Sequence, residues 1–383
     1  MKWAITLGSA KISGGTYVIF EHVTRNIKRG EEIYVITEEK VKKEDYSWHS
    51  EAKNIKFKTY DEIKDINFDI AIATWWVTVY NLYKIKARKY AYFVQSIESK
   101  FYKERIYQLM AEATYTLGLN IITEATWIKD YFKEKYDSDA FLVKNGIRKD
   151  IYNTLGEKYE KCDGLRVLVE GPVDVDFKNV PKTIKLIKES NADEVWLLTS
   201  SNITEYKGVD RVFSRVPIND CAKIYRSCDL IVKLSYVEGM FGPPLEMFHC
   251  GGTAIVYDVT GHDEYIINGK NGIVIKTDDD EKVVEAINRF KDKSILKKYK
   301  DNAIKTANEW INWEESSKQF RDSVYKILDL QSITQSNLKG KITFYNTLFD
   351  ELKNNPSTVR GIIGKKIKNK TPGIYNFLKK ILK

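Results

Sequence analysis

The segment that decides the fold is Glu238-Gly-Met-Phe-Gly-Pro-Pro-Leu-Glu246, in which two carboxylates eight residues apart enclose two glycines and two prolines. The apolar run Leu230–Leu234 before it predicts a strand, and the pattern after it predicts a helix over Pro243–Cys250. The prolines suit the first turn of that helix, and the glycines let the backbone approach a ligand. Helix N-termini attract negative charge, and α/β sheets bind ligands at the carboxyl ends of their strands. We therefore expect Glu238 to face a ligand site there, with Glu246 one turn into the helix, where it could accept hydrogen bonds from a diol.

The same alternation of strands and helices surrounds this segment. Short apolar runs predict strands at Arg166–Glu170, Val195–Ser200, Val212–Val216, Leu230–Leu234, Thr253–Tyr257 and Gly272–Ile275. Helical periodicity predicts helices at Pro181–Glu189, Asn219–Ser227, Pro243–Cys250, about 279–290 and 294–327. Such alternation favours a parallel sheet with helices on its faces.

An earlier half of the chain shows the same pattern. A strand at Trp3–Leu7 is followed by a glycine-containing loop, Gly8–Gly15, and by a helix with Ile19, Val23 and Ile27 on one face. Further strands are predicted at Ile33–Thr37, Asp69–Thr74, Tyr90–Gln95, Asn120–Thr123 and Phe141–Ile147. The polar run 153–164 is a plausible linker, and a chain of 383 residues suits two domains.

Charge is distributed unevenly along the chain. Residues 331–383 hold eleven Lys or Arg and two acids, Asp350 and Glu351; 11 − 2 gives +9, which is the net charge of the whole chain. Residues 1–330 therefore sum to zero, and this neutral body argues against a nucleic-acid partner.

Amphipathic periodicity accompanies the basic residues of the tail. After a helix start at Thr371-Pro372, the apolar residues fall on one helical face: Ile374, Phe377, Leu378, Ile381 and Leu382. A similar apolar face lies upstream: Val359, Ile362, Ile363 and Ile367. We expect residues 359–383 to lie in the interface of an anionic membrane surface. Packing on the body of the protein, or pairing with another subunit, would explain the same pattern.

The N-terminus and the cysteines bear on the compartment. Met1–Leu7 lacks the long apolar region and cleavage site of a signal peptide, and no window reaches about 18 uninterrupted apolar residues. The four cysteines, Cys162, Cys221, Cys228 and Cys250, form no C-x-x-C pair, as expected of reduced thiols. We expect a cytoplasmic protein, peripheral on the inner face of the cell membrane.

The segment Glu238–Glu246 resembles the E-x7-E signature of glycosyltransferase family 4, whose members have the GT-B fold. The resemblance continues through Cys250–Val256, Gly261–Ile266 and Asn268–Ile273; it covers residues 165–290 well and the N-terminal half loosely. It implies that Glu246 holds the ribose hydroxyls of a nucleotide-sugar. It also implies that Glu238 meets the donor sugar together with the backbone that follows it, namely Gly239, Met240, Phe241 and Gly242. The glycine placement differs slightly from the common E-G-F-G-x-P form.

A second segment, Val169–Lys178, predicts a strand, a glycine turn at Gly171 and a lysine before a helix. A lysine there can neutralise a diphosphate. The family usually has an Arg and a Lys in this loop; Lys178 matches the Lys, and no Arg is present. Arg215 and Val216, in the following turn, lie where the family contacts the base. A lone surface lysine is the plain alternative for Lys178.

Two segments of the N-terminal half also resemble family elements. Gly14 and Gly15, in Ser13-Gly-Gly-Thr16, match the loop that faces the donor phosphates and the acceptor, although a plain turn has the same composition. Gln95 stands at a strand end where many members carry His. Two stretches are similar to the branch of the family that contains bacterial rhamnosyltransferases. The first is Gln95 with Glu98 and Phe101-Tyr102 nearby, and the second is Glu170-Gly171 followed by Phe-Lys-Asn179. Gln95 could position a sugar hydroxyl, or could be only a polar strand end.

Metal-binding patterns are weak. Asp174-Val-Asp176 has D-x-D spacing but falls in the loop on the phosphate side, and Asp278-Asp-Asp280 suits a helix start without a metal. The four histidines, at positions 22, 49, 249 and 262, are not spaced as metal ligands. His22 and His249 fall on predicted helices, where structural roles suit them. We expect no metal and no cofactor, since the nucleotide-sugar is a substrate.

The resemblance implies an α/β protein of the GT-B fold, with two Rossmann-like domains facing across a cleft. The predicted division is an acceptor domain at 1–155 with a return of about 311–330, a nucleotide-sugar domain at 156–310 and a basic tail at 331–383. The implied activity is metal-independent transfer of a sugar, rhamnose being a candidate, with retention of configuration. Membrane placement of the tail would suit a lipid-linked acceptor, which favours the synthesis of a surface polysaccharide.

Catalysis would depend on stabilising the leaving diphosphate. Lys178, the amides of Gly14 and Gly15 and the helix N-terminus after Gly242 could do this, with Glu238 and Gln95 at the sugar. The leaving phosphate oxygen could itself take the acceptor's proton. Two other functions fit the same fold: a catalytically silent subunit that binds glycans or stabilises a partner enzyme, and a nucleotide-sugar epimerase.

Overall fold

The computed structural model describes residues 1–160 and 163–354, in which the strands and helices alternate. The strands are β1 (Lys2–Thr6), β2 (Glu32–Thr37), β3 (Lys56–Thr59), β4 (Phe68–Ala73), β5 (Ala87–Val94), β6 (Asn120–Thr123), β7 (Ala140–Leu142), β8 (Arg166–Glu170), β9 (Glu194–Thr199), β10 (Arg211–Ser214), β11 (Leu230–Lys233), β12 (Thr253–Tyr257) and β13 (Ile273–Ile275). The α-helices are α1 (Gly14–Lys28), α2 (Lys43–Tyr46), α3 (Trp76–Val79), α4 (Arg105–Thr114), α5 (Thr126–Tyr136), α6 (Val180–Glu189), α7 (Ile218–Ser227), α8 (Gly242–His249), α9 (Asp280–Arg289), α10 (Lys293–Glu309), α11 (Trp313–Asp329) and α12 (Gln335–Asn354). Within those two ranges, none of the helices is both long and apolar enough to cross a membrane.

The strands form two separate parallel sheets. The first has the order β3-β2-β1-β4-β5-β6-β7, and the second has the order β10-β9-β8-β11-β12-β13. In each sheet the chain reverses its direction of winding between two central neighbours, β1 and β4 in the first and β8 and β11 in the second. The predicted pair of Rossmann-like domains is confirmed. Ligands of such sheets bind where the winding reverses, at the carboxyl ends of the strands.

The central strands are apolar because helices cover both faces of each sheet. Trp3, Ala4 and Ile5 of β1 are all buried, as are Leu230, Ile231 and Val232 of β11. A strand buried on both faces appears in sequence as a continuous apolar run. This is why those strands were visible in the sequence.

The predicted helix over 294–327 is wrong as a single helix, because two helices, α10 and α11, occupy it. Asn312 begins the second one: its side chain accepts a hydrogen bond from Glu315 N at 2.9 Å, and Glu315 accepts one from Asn312 N at 3.3 Å. This reciprocal capping box satisfies two backbone donors at the helix start. Helix α11 packs on the first domain, where Trp313 Nε1 donates to the hydroxyl of Tyr17 at 3.1 Å.

The predicted strand Phe141–Ile147 is shorter in the structure, where β7 ends at Leu142. Ile147 instead forms an isolated bridge with Asn312, at the start of α11. The chain leaves the first sheet at this point. The structure also has a strand that the sequence did not reveal, β3, which is a partly exposed edge strand rich in lysine.

Helix α12 lies in the segment that was predicted to be the basic tail. Its apolar residues pack into the core of the first domain: Leu338, Ile342, Tyr345, Leu348 and Phe349. Lys341 Nζ donates to Leu117 O at 3.0 Å, so even a basic residue of this helix serves the packing. Residues 335–354 are therefore part of the folded body, and the predicted membrane segment 359–383 lies outside the described residues.

Candidate active site

The two carboxylates of the E-x7-E segment lie in the loop between β11 and α8, which carries Glu238, and in α8 itself, which carries Glu246. Glu238 is buried where β11 ends, and α8 begins at Gly242 with both prolines in its first turn. The loop backbone is held from the other side, since Thr260 Oγ1 donates to Glu238 O at 3.0 Å and Tyr265 donates its hydroxyl to Phe241 O. The loop thus presents Glu238 and the start of α8 at the point where the winding of the sheet reverses.

Four charged side chains meet beneath this loop and form what we term the charge quartet: Glu170, Lys178, Lys233 and Glu238. Lys178 Nζ lies 2.9 and 2.8 Å from the two carboxylate oxygens of Glu238. Lys233 Nζ lies 2.6 Å from Glu170 Oε2 and 3.7 Å from Glu238 Oε1. Burial would raise the pKa of Glu238, but Lys178 and Lys233 outweigh burial and hold this pKa below its ordinary value. Glu238 is therefore an anion at neutral pH.

Lys233 was not identified from the sequence. It ends the otherwise apolar strand Leu-Ile-Val-Lys and is buried, and lysines are seldom buried without a partner. A Cβ atom at Gly171, where φ is +144°, would lie 3.7 Å from Lys233 Nζ. The second cation of this region therefore comes from the strand beneath Gly171 and not from the loop that carries Lys178. A lysine at the end of an apolar strand was the signal in the sequence.

Glu246 lies one turn into α8. Burial, and to a lesser extent the charge of Glu170, raise its pKa to about 8, although hydrogen bonds from Tyr225 and Tyr152 oppose the rise. A carboxyl group with this pKa is mostly protonated at neutral pH, so it can donate one hydrogen bond as well as accept. Glu238 and Glu246, which look alike in the sequence, thus have opposite ionisation.

Gln95 and the Gly14–Gly15 loop meet at the edge of the first sheet. A Cβ atom at Gly15 would lie 3.4 Å from Gln95 Nε2, whereas one at Gly14 would meet nothing within 4 Å. Ser13 caps α1 by accepting from Thr16 N at 3.1 Å. The structure therefore brings Gln95 and Gly15 together and leaves Gly14 open.

The two domains touch across the cleft at the E-x7-E loop. A Cβ atom at Gly239 would lie 1.9 Å from the carbonyl oxygen of Gln95, so only glycine allows this approach. Trp127 Nε1 donates to Gly239 O at 3.0 Å, and Met240 N donates to Glu124 Oε1 at 3.1 Å. Burial raises the pKa of Glu124 to about 7, while its bonds to Asn145 and Met240 oppose this. Glu124 is a second residue that the sequence did not reveal.

Arg215 and Val216 come from the opposite edge of the second sheet. They follow β10, the edge strand that is three positions from β11 in the sheet. Arg215 is exposed with φ of +53°, and its Nε donates to Ser200 O at 3.0 Å. Val216 packs against the buried cluster that contains Phe241 and Leu245 of the E-x7-E segment.

The aspartates considered for a metal have separate partners. Asp174 accepts from Ser201 Oγ at 2.7 Å, whereas Asp176 pairs with Lys103 of the first domain at 2.5 Å. Asp278 and Asp280 both pair with Lys182 at 2.7 Å. Within 1–160 and 163–354 the structure has no group of three or more His, Cys, Asp or Glu that could hold a metal.

The histidines and cysteines lie in structural positions. His22 stacks on Phe320, and burial lowers the pKa of His22 to about 3. His49 contacts the buried carboxylate of Glu21 at 3.0 Å, and His249 contacts Leu245 O at 2.9 Å. Cys221, Cys228 and Cys250 are free thiols in the structure. Cys162 lies outside the described residues.

Comparison with known proteins finds a family match over part of the second domain. Residues 199–310 match the model of the family Glycosyl transferases group 1. The match includes the E-x7-E loop, α8 and Lys233. The chain is also 24% identical over 246 residues to the uncharacterized glycosyltransferase MJ1069 of Methanocaldococcus jannaschii, covering 58% of this chain and 61% of that relative. The chain thus spans about three fifths of the length of this curated relative.

Solved structures share the whole architecture. Anabaena Alr3699/HepE in complex with UDP-glucose superposes with a TM-score of 0.71 at 13% identity, over 85% of this chain and 100% of that one. Sucrose-phosphate synthase from Thermosynechococcus elongatus superposes with a TM-score of 0.69 at 13% identity, over 86% of this chain and 99% of that one. The expected GT-B fold, with helices C-terminal to the second sheet, is confirmed.

Proposed function

We propose that the protein is a glycosyltransferase that moves a sugar from a nucleoside-diphosphate sugar to a glycan acceptor. The observation that carries this proposal is the charge quartet at the reversal point of the second sheet. It faces Gln95 and Gly15 of the first domain, and two of its members, Lys233 and Glu238, lie within residues 199–310, which match the glycosyltransferase model. Two lysines beside one helix N-terminus can neutralise a diphosphate. Gln95, on the facing domain, would then lie on the side of the cleft where the acceptor binds.

In this proposal, donor binding rearranges the quartet. Lys178, which is partly exposed, leaves Glu238 to contact the diphosphate, while Lys233 stays buried 3.7 Å from Glu238 and keeps it anionic. Glu238 then accepts hydrogen bonds from the donor sugar, and Glu246 binds the ribose diol. As the bond from the sugar to the diphosphate breaks, Lys178, the amide of Gly14 and the start of α8 stabilise the negative charge that develops on the leaving group.

The finer assignments extend the same proposal. UDP-sugars are the first donors to test because HepE was solved with UDP-glucose. Retention of configuration follows if the leaving phosphate oxygen takes the acceptor's proton on the face where it departs. Independence of metal follows from the lysines, which would replace a divalent cation as the counter-charge of the diphosphate. Assignment to family 4, and rhamnose as the sugar, rest on the E-x7-E segment and on Gln95 with Glu170-Gly171.

The acceptor and location are proposed from the charge of the chain. All the net charge resides in residues 331–383, and those after the described part, 355–383, include eight of the eleven basic residues. Attraction of that segment to anionic lipid would hold the cleft near a lipid-linked glycan at the inner face of a cell membrane. We therefore propose a role in building a surface polysaccharide.

A donor screen followed by a kinetic comparison tests the activity. Thermal shift with dTDP-, UDP- and GDP-sugars should identify a donor, and nucleoside diphosphate should then be released only when an acceptor glycan is added. Lys178→Ala should lower kcat/KM by about two decades or more, the scale of losing one contact to a developing anion. Lys185→Ala is the matched control, because Lys185 is an exposed lysine of α6 that pairs only weakly, at 3.7 Å, with Glu189.

The outcomes separate the alternatives. If no nucleotide-sugar shifts the melting temperature, the proposal is wrong and a silent subunit fits better. Release or epimerisation of the donor without any acceptor would instead indicate an epimerase. A Lys178→Ala variant within about threefold of wild type would remove this lysine from catalysis.

A further inference from the structure

Trp75 is a large aromatic side chain exposed at the edge of the first sheet where the cleft opens. More than a third of it is exposed, 37%. It follows β4, which lies between β1 and β5 in the sheet. Gly8 follows β1 and Gln95 follows β5, and neighbouring strands are about 4.8 Å apart. Trp75 therefore lies one strand away from the residue that touches the E-x7-E loop of the other domain.

The position of the indole depends on Gly8. A Cβ atom at Gly8 would lie 2.6 Å from Cε3 and 3.0 Å from Cζ3 of Trp75. The six-membered ring of Trp75 thus occupies the space that any other residue at position 8 would fill. The exposed loop that follows holds both polar and apolar side chains: Ser9, Lys11, Ile12 and Ser13.

Hydrogen bonds hold the backbone of Trp75 on both sides of its Cα atom. Thr78 Oγ1 accepts from Trp75 N at 3.3 Å and donates to Trp75 O at 2.8 Å. The next residue, Trp76, is buried; its amide donates to Glu98 at 2.9 Å, and its ring meets that of Trp75 nearly edge-on at 6.2 Å. An aromatic side chain fixed before the ligand arrives loses little freedom on binding. Trp75 is therefore a preformed platform.

We propose that Trp75 is the stacking platform for a pyranose ring of the acceptor glycan; this inference rests on the proposed function. A pyranose has a face of C–H bonds and a rim of hydroxyls, so an exposed aromatic face removes the first from water while nearby polar groups bind the second. Ser9, Lys11 and Ser13 of the loop after Gly8 supply such groups. A protein or lipid partner would instead require a wider contiguous apolar patch. The platform lies on the Gln95 side of the cleft, which faces the donor site.

A direct binding experiment tests this inference. The probes are the methyl glycosides of glucose, galactose, mannose and rhamnose, measured by saturation-transfer NMR and titration against the full chain. We expect at least one of them to bind wild type in the millimolar range, with Trp75 receiving contact from the sugar C–H face. Trp75→Ala should weaken that binding about tenfold or more, the effect of losing an aromatic anchor, and Trp75→Phe should retain part of it.

Gly8→Ala provides an independent arm. It keeps the tryptophan but displaces its ring, so it should weaken the same glycoside to a similar extent. In the Gly8→Ala/Trp75→Ala double variant the alanine at position 8 no longer clashes with an indole ring. If Gly8→Ala acts only through that ring, the double variant should have the same melting temperature as Trp75→Ala. Tyr325→Ala is the control, since Tyr325 is similarly exposed, 39%, on α11, and its glycoside binding should match wild type.

The possible outcomes distinguish this inference from the proposed function. Failure of every methyl glycoside to bind wild type, or equal binding by wild type, Trp75→Ala and Gly8→Ala, would overturn the platform. Glycoside binding that depends on Trp75, in a protein for which no nucleotide-sugar shifts the melting temperature, would support the platform and contradict the transferase activity.

Discussion

Replacement of Lys178 by methionine should destabilise the protein in a way that depends on pH. Lys178 Nζ contacts both oxygens of Glu238, and the Glu238 side chain is only 8% exposed. Removing one partner of a buried pair costs about 3–5 kcal/mol because the other charge stays buried. Lys233 remains 3.7 Å away, and Lys178 itself is partly exposed, so we expect the loss to be smaller, about 2–3 kcal/mol.

The sign of the pH dependence follows from the pKa of Glu238. In wild type this pKa is below the ordinary value of 4.5, so the stability that Glu238 contributes is complete above 4.5 and is lost as the pH falls through the lowered pKa. Without Lys178, burial raises this pKa relative to wild type, while Lys233, 3.7 Å away, still keeps Glu238 anionic at neutral pH. The variant then loses stability as the pH rises through the raised value. The difference between the two proteins should therefore be greatest at neutral pH and shrink below pH 4.5.

Calorimetric melting between pH 4 and 8 measures this difference. A loss of about 2–3 kcal/mol should lower the melting temperature of a domain of about 150–250 residues by about 5–10 °C. Lys185→Met is the control, because its pair with Glu189 at 3.7 Å is exposed and should change stability by less than about 0.5 kcal/mol at any pH. Glu238→Gln combined with Lys178→Met should recover most of the loss. A Lys178→Met penalty no larger than that of Lys185→Met, or one that does not change with pH, would refute the reasoning.

Four further predictions concern the nucleotide, the cleft, the metal and the tail. Glu246→Ala should weaken nucleotide binding by about 1–3 kcal/mol by calorimetry, because the ribose hydroxyls lose their hydrogen-bond partner in a buried site; unchanged affinity would remove Glu246 from the site. Gly239→Ala should separate the domains, because its Cβ would lie 1.9 Å from Gln95 O, and X-ray scattering should report a larger radius of gyration than wild type, whereas identical curves would contradict the contact. Activity should survive excess EDTA, since Asp174 and Asp176 bond to different partners. If EDTA abolishes activity and Mg²⁺ or Mn²⁺ restores it, these two aspartates would again be candidates for a metal site. Full-length protein should co-sediment with anionic liposomes at low salt while residues 1–354, which retain α12, should not; the membrane assignment is wrong if both remain in the supernatant.

The sequence was sufficient for those elements whose signal is local. Strands β8 and β12 have the bounds that their apolar runs predict, and α8 begins within one residue of the predicted start. Such patterns are visible because a strand that is covered on both faces needs consecutive apolar residues, and because prolines fit only the first turn of a helix. The partly exposed strand β3 was missed because no burial requirement shapes its residues.

Only the tertiary structure decided how the site is assembled. Lys178 and Glu238 are 60 residues apart in the chain, and Glu124 and Met240 are 116 apart, so no local pattern records that they meet. The same holds for the opposite ionisation of Glu238 and Glu246, which depends on the lysines and the burial around each carboxyl. The sequence by itself determined which elements form, because periodicity is a property of neighbouring residues. The fold determined which charges neutralise each other and which glycines allow contact, because these depend on distances between elements that are remote along the chain.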